Sequence, residues 1–177
     1  MPTQLSNHPP VRLSLSRLKT PIGTALLVTD ERGLLRALDW SDHEDRLTRL
    51  LRLYYGAGIA LETAKAPADL RITLDGYFAG DLKQIDAIAC AAAGTDFQRS
   101  VWAALRKIPA GKTMSYGALA AKLGKPAAMR AVGAANGANP LSVVVPCHRL
   151  IGANGSLIKY GGGLERKRWL LTHEGVA

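Results

Sequence analysis

Ser115-Tyr116-Gly117-Ala118-Leu119-Ala120-Ala121-Lys122-Leu123-Gly124-Lys125-Pro126-Ala127-Ala128-Met129-Arg130-Ala131-Val132-Gly133-Ala134-Ala135-Asn136-Gly137 reads as two short helices and a tight turn. Ser115 can cap a first helix that runs through Leu123. Gly124-Lys125-Pro126 makes the turn, with Pro126 at the first position of a second helix, where its missing N–H costs nothing. That helix runs through Ala135 and stops at Gly137. The spacing predicts a helix-turn-helix over 115–137. The second helix carries Ala127, Ala128, Ala131, Gly133, Ala134 and Ala135, so it can approach another surface closely. A helix that reads bases in the major groove would offer several polar side chains. This one offers Arg130, with Asn136 at its end. It suits lying in a groove and projecting one long cation. The same pattern also fits a helix packed in a core with Arg130 in solvent.

Upstream, Thr95 and Gln98 form a capping box for a helix bearing Phe97, Val101, Trp102 and Leu105 on one face, ended by Pro109-Ala110-Gly111. Downstream, Leu141 to Val145 reads as a buried apolar strand, Gly152 to Gly155 as a turn, Gly161-Gly162-Gly163 as a flexible point, and Leu164 to His173 as a closing helix. The first half begins with a loose tail (1–10). A three-stranded antiparallel meander follows: strands from Val11, over Ala25 to Val28, and over Leu34 to Trp40, with turns at Thr20–Gly23 and Asp30–Gly33. Ser41 and Glu44 suggest a capping box for a helix over 42–55. Residues 56–66 read as a loop, Ala68 to Phe78 as a helix, Ile85 to Ala89 as a short strand, and Ala91 to Gly94 as a linker. The expected organisation is α/β (α+β): an N-terminal unit over 11–93 and a mostly helical C-terminal unit over 94–177.

The 177 residues are 47% hydrophobic and 21% charged, enough to bury a core and too apolar for disorder. No apolar run reaches membrane-spanning length, and the N-terminus shows no secretory signal. Two cysteines, Cys90 and Cys147, exclude a disulfide scaffold, and no Cys/His cluster has metal-ligand spacing. A reducing, cytoplasmic setting is expected. The net charge of +9 is unevenly placed: residues 1–93 hold eleven Lys/Arg and eleven Asp/Glu, whereas 94–177 hold twelve Lys/Arg against Asp96, Glu165 and Glu174. The whole excess lies in the second half, as a polyanion-binding surface requires, although a solubilising surface also accounts for basic residues.

Pro146-Cys147-His148-Arg149 ends the buried run. A cysteine at a strand end is ordinarily inert, and Cys90, among alanines, fits that description. Cys147 has His148 and Arg149 beside it. An imidazole and a positive charge make a thiolate accessible near neutrality. Adjacent extended residues point apart, so His148 is expected to take the thiol proton through a bridging water. Glu174 can orient His148, giving a Cys-water-His-Glu relay similar to hydrolytic triads.

The segment from Asn139-Pro140 through Pro146-Cys147-His148-Arg149-Leu150 resembles the active-site signature of the O6-alkylguanine-DNA alkyltransferases (methylated-DNA–protein-cysteine methyltransferases). The resemblance covers about half the chain. It takes in Phe97 to Ile108, Ser115 to Ala120, Arg130 to Gly133, and the tail from Tyr160-Gly161-Gly162-Gly163 through His173-Glu174-Gly175. It implies a ribonuclease-H-like first domain and a winged-helix second domain. It implies Cys147 as alkyl acceptor, activated by His148 and Glu174, and Asn139 as holder of the turn between the helix-turn-helix and the cysteine. Tyr116 would rotate the nucleotide's phosphate and donate a proton toward the guanine oxygen. Arg130 would fill the stack left by the flipped base, with Ser115, Ala131 and Gly133 along the DNA. Val145, Pro146, Leu150, Tyr160, Gly161 and Gly162 would wall the pocket. The carbonyls of Cys147 and Leu150 would accept from the guanine amino group, and the Gly161 N–H would face the oxygen. The implied reaction is irreversible, single-turnover transfer from O6-alkylguanine, and from O4-methylthymine, in duplex DNA. It needs no cofactor and no metal, and the protein would act as a monomer, with cooperative loading along DNA left open.

Ile158-Lys159, bulky and charged, stands where the family more usually has a small pair, which bears on substrate range and on the position of the loop; Gly161 replaces a commoner small side chain and so leaves the pocket roomier. Acceptance of alkyl groups larger than methyl is therefore expected. Other functions would require other features. A damaged-DNA binder without transfer would lack the reactive cysteine, a transcription regulator would need a base-reading helix, and a cysteine hydrolase would need an oxyanion hole.

Overall fold

The computed structural model describes residues 9–176; of the tail expected over 1–10, residues 1–8 lie outside the described residues. Strands β1 (Arg12–Thr20), β2 (Gly23–Asp30) and β3 (Leu35–Trp40) form the antiparallel meander. Within 56–66, expected as loop, a fourth strand β4 (Ala60–Thr63) pairs parallel with β1, so the sheet is four-stranded and mixed, ordered β3-β2-β1-β4. Leu61, Glu62 and Thr63 are exposed. The strand is held by backbone pairing, and its side chains carry no alternating burial by which a sequence could announce it.

Side-chain alternation divides the sheet. Leu26, Val28 and Ala37 face α1 (Glu44–Tyr55), which covers them with Leu47 and Leu51. Ala25, Leu27, Leu35, Leu38 and Trp40 face the opposite way, into a core shared with α2 (Ala68–Phe78) and the whole second half. The capping box expected from Ser41 and Glu44 does not form. Trp40 is fully buried as the chain leaves β3, Ser41–His43 is a 3-10 turn, and His43 rather than Ser41 stands at the helix entry. The short strand expected over Ile85 to Ala89 is replaced by a 3-10 helix, Leu82–Ala87. Ile85 and Ile88 are both buried, and a three-residue repeat is the period of that helix.

In the second half, α3 (Asp96–Arg106) begins with the reciprocal Thr95–Gln98 capping box, a feature worth about 1 kcal/mol. Val101, Trp102 and Leu105 face inward, and the Trp102 indole N–H donates to the Ala135 carbonyl at 2.8 Å. Strand β5 (Met114–Ser115) leads into α4 (Tyr116–Lys122), whose N-terminus is capped by the Ser115 hydroxyl at 3.1 Å from the Ala118 N–H. A 3-10 turn, Pro126–Ala128, opens α5 (Met129–Gly137). Strand β6 (Leu150–Ile151) pairs parallel with β5, and α6 (Leu164–His173) closes the chain. The result is an α/β fold with a mixed sheet and helices on both of its faces.

Candidate active site

The segment that carries Cys147 is built onto the sheet. The Leu38 N–H donates to the Pro140 carbonyl at 2.9 Å, and the Ser142 N–H donates to the Leu38 carbonyl at 3.1 Å, so Leu141 bridges the free edge of β3. Beyond that bridge the expected strand does not continue. The Val144 N–H reaches the Ser142 carbonyl (2.8 Å) and the Cys147 N–H the Val145 carbonyl (2.7 Å), two three-residue turns in succession. Val143, at the centre of the first, has φ of +69°, a conformation that costs a β-branched residue on the order of 1–3 kcal/mol. Asn139 braces the knot: its side-chain N–H donates to the Val145 carbonyl (3.0 Å) and its oxygen accepts the Leu141 N–H (2.9 Å). Every residue from Leu141 to Leu150 is buried, which is the signal the apolar run gave, but the shape is a coil wound around Asn139.

Cys147–Arg149 is a single 3-10 turn, so Cys147 and His148 are not the extended pair expected. His148 is fully buried, and its Nε2 lies 2.9 Å from Glu174 Oε1. Its Nδ1 is buried with no hydrogen-bond partner among the described residues. A carboxylate only accepts, so Nε2 carries the proton and Nδ1 is left as the base. Arg149, expected to supply charge to the thiol, instead grips Glu174 with Nε (2.9 Å) and Nη2 (2.8 Å), and donates through Nη1 to the Ile108 carbonyl.

Burial pushes the Cys147 thiol above its ordinary value, opposed by the Asn139 side chain and by the charges of Arg46 and Lys167. Burial also pulls His148 below its ordinary value, outweighing the attraction of Glu174. Burial thus works against both the thiolate and the imidazolium in this site. Burial of Glu174 is overcome by its hydrogen bonds to Arg149 and His148, which hold it far below the usual carboxylate range.

Cys147 opens onto a cavity of about 830 Å³, within the usual range for small-molecule sites. Tyr116, Gly133, Asn136, Ile158, Lys159, Tyr160 and Gly161 are among its lining residues. Val145, Pro146 and Leu150, expected in its wall, are buried and do not line it, and Gly162 lines a separate cavity with Asp42 and Arg166. The Leu150 carbonyl accepts from Lys167 Nζ at 2.6 Å, and a side chain on Gly162 would run into the Trp40 indole at 2.6 Å. The space that Gly161 leaves is also taken: a Cβ there would lie 2.6 Å from the Arg46 guanidinium carbon. That glycine admits Arg46 and does not widen the cavity. Tyr116 faces Gly133 at close range (3.8 Å to a hypothetical Cβ), while Arg130 and Ala131 stand exposed on the outer face of α5. The Ser115 hydroxyl oxygen accepts the Ala118 N–H as a helix cap, which leaves its O–H to donate.

Sequence reading passed over four contributors. Lys167, fully buried, ties the Leu150 and Ile158 carbonyls together (2.6 and 2.7 Å), and burial draws its pKa down to about 8. Arg46 pairs with Asp39 (2.6 Å) and donates to the carbonyls of Gly137 (3.0 Å) and Asn139 (3.1 Å). Tyr54 donates to the Ala138 carbonyl at 2.7 Å. Tyr77 donates to Glu174 Oε1 at 2.7 Å. On helices such residues read as ordinary surface cations and core aromatics, so no sequence signal marked them.

Residues 96–176 match the family model described as "6-O-methylguanine DNA methyltransferase, DNA binding domain". A protein of Salmonella typhimurium named methylated-DNA–protein-cysteine methyltransferase is 52% identical over 166 residues, covering 93% of this chain and 97% of that protein. One of the same name from Methanosarcina acetivorans is 41% identical over 89% of this chain and 95% of that protein. Among solved structures, the O6-methylguanine methyltransferase of Mycobacterium tuberculosis superimposes with a TM-score of 0.77 at 39% identity, covering 92% of each chain. A structure of Mycobacterium tuberculosis OGT in complex with DNA gives the same score at 37% identity, covering 91% of this chain and 92% of that one.

Proposed function

This chain belongs to the methylated-DNA–protein-cysteine methyltransferase family, and from that premise we propose how its own residues repair alkylated DNA. The alkyl group passes from O6-alkylguanine, or O4-methylthymine, to the sulfur of Cys147. The observation that carries this reading is a buried thiol at the wall of a cavity large enough to admit a base, followed in the chain by an imidazole whose Nε2 is bound to Glu174 and whose Nδ1 has no partner among the described residues.

His148 Nδ1, which no described side chain reaches, takes the Cys147 proton through a bridging water. The thiolate attacks the alkyl carbon, the carbon–oxygen bond breaks, and its electron pair passes into the guanine ring. Tyr116 gives the departing base a proton and is restored from solvent, to which His148 later returns the proton it took. The product thioether has no leaving group of comparable quality, so each molecule acts once. Nothing in these steps calls for a metal or an organic cofactor.

A base in duplex DNA must leave the stack to reach the cavity, at a cost of about a few kcal/mol. Arg130 on exposed α5 fills the gap, and Tyr116, Ser115, Ala131 and Gly133 follow the backbone around it. The shortage of base-reading side chains on α5 suits a lesion that occurs in any sequence. The buried Arg149 and Lys167 leave the exposed lysines and arginines of the second half, Lys122, Lys125 and Lys159 among them, to meet phosphate. Asn139 holds the turn behind Cys147, with Val145, Pro146, Leu150 and Gly162 supporting the wall that Tyr160 and Gly161 present. On this reading the chain comprises a ribonuclease-H-like unit over 11–93 and a winged-helix unit over 94–177, and acts on DNA as a monomer.

Incubation with an O6-methylguanine duplex and intact-mass measurement tests the reading. One methyl is expected per chain, on Cys147, and benzylguanine free base is expected to leave one benzyl group. DNA bound with an unchanged protein mass would make the chain a damage binder instead. Arg130→Ala is expected to slow transfer from duplex by about ten- to a hundredfold while leaving reaction with the free base within about twofold, since only the former must be extruded. Equal losses on both substrates would remove Arg130 from that role.

A further inference from the structure

Glu174 is contacted from the other half of the molecule. Tyr77, on α2, is fully buried, and its hydroxyl donates at 2.7 Å to Glu174 Oε1. That is the same oxygen that receives His148 Nε2 (2.9 Å) and Arg149 Nη2 (2.8 Å), whereas Oε2 receives Arg149 Nε alone. Packing does not require this hydroxyl. The ring is already fixed edge-on against Phe78 and His173, and His173 Nε2 reaches the Tyr77 carbonyl at 2.8 Å. A phenylalanine would fill the same space without burying an oxygen that needs a partner.

We propose that Tyr77 is a positioning residue for alkyl transfer: by donating to Glu174 Oε1 beside His148, its hydroxyl fixes the carboxylate and limits how strongly that carboxylate draws on the His148 Nε2 proton. This inference rests on the repair reading above and adds a residue of the sheet-bearing half to it. The groups that face this cluster are few. On the 3-10 turn they are Cys147, His148 and Arg149, on α6 Lys167 and His173, and on the loop before α6 Tyr160. Arg149 and Lys167 both disfavour a charged His148, and Glu174 favours it. Each hydrogen bond that the ionised carboxylate accepts stabilises its charge and lowers its basicity, so it draws less on its other donors. Removing the Tyr77 donor therefore makes Glu174 the stronger partner of His148 and makes His148 Nδ1 more basic. An imidazole already protonated cannot take the thiol proton, so the acid limb of the reaction moves to higher pH.

The test is the single-turnover rate of transfer from an O6-methylguanine duplex across pH 5.5 to 9, for the full chain and Tyr77→Phe. The acid limb is expected to rise by roughly one pH unit, the scale of one hydrogen bond to a charged group. The variant should then fall about tenfold behind at low pH and stay within about twofold above neutrality. The His148 ring-nitrogen resonances should titrate with the same displacement. A rate ratio independent of pH, or an unmoved His148 titration, would overturn the proposal and leave Tyr77 as a packing residue. Should Tyr77→Phe fail to fold, 3-fluorotyrosine at position 77 alone keeps the ring and donates more strongly. It should move the limb to lower pH, and an unmoved limb overturns the proposal equally. An unalkylated wild-type protein would strike at the repair reading itself, which separates the two failures.

Discussion

Cys147→Ala should transfer no alkyl group at all and should bind alkylated duplex within about twofold of the native affinity. Cys147 is the one thiol among the described cavity residues, and the next residue, His148, has a buried ring nitrogen with no partner among the described residues. Its side chain is 4% exposed, so the change leaves a small void and disturbs no surface cation. The other cysteine offers no substitute. Cys90 is half-buried in the segment before α3, 3.2 Å from Arg106 Nη1, and burial raises its thiol above the ordinary value. Intact mass and an electrophoretic binding titration on the same preparation give both readings. A residual adduct, located by digestion, would move the nucleophile elsewhere.

Arg149→Leu is expected to be among the most destabilising single substitutions available. It removes a donor from each oxygen of a fully buried carboxylate, and leaves the Ile108 carbonyl without its partner. Stripping one member from a buried ion pair costs about 3–5 kcal/mol, mostly because the remaining charge is stranded. For a chain of this size that lowers the melting temperature by on the order of 10 °C. The pH dependence changes with it. Glu174 is held below its unfolded value, so the stability it contributes is fully present above the ordinary carboxylate range. That contribution is lost as pH falls through the depressed folded value. The native protein should weaken steadily below about pH 5, and Arg149→Leu should weaken less steeply there because its carboxylate is less depressed. Melting curves at pH 7 and pH 4 check both statements. An unchanged melting temperature at pH 7 would show that the cluster adds nothing to folding.

How much of this was readable in the chain follows from how each residue is used. Apolar residues on one face placed α3, and turn residues placed the meander, because burial and backbone chirality act locally there. Strand β4 was missed since its side chains are exposed and its pairing is made by backbone alone. The run from Leu141 to Val145 was read correctly as buried and wrongly as extended. Its winding depends on Asn139 and on the bridge to Leu38, contacts that periodicity does not encode. At the site, Cys147, His148 and Glu174 could be grouped because their chemistry is rare. Tyr77, Arg46, Tyr54 and Lys167 could not, because each is an ordinary helix residue until the fold brings it to a carbonyl or a carboxylate.

The bridge between Leu38 and Leu141 also bears on how freely such a protein could exchange modules. A foreign front half fused ahead of residue 94 would have to present an open strand edge for the cysteine segment to join. It would also need hydroxyl and guanidinium donors where Tyr54, Tyr77 and Arg46 now stand. A transplant lacking them could fold correctly and still leave the sulfur aimed at the wrong place.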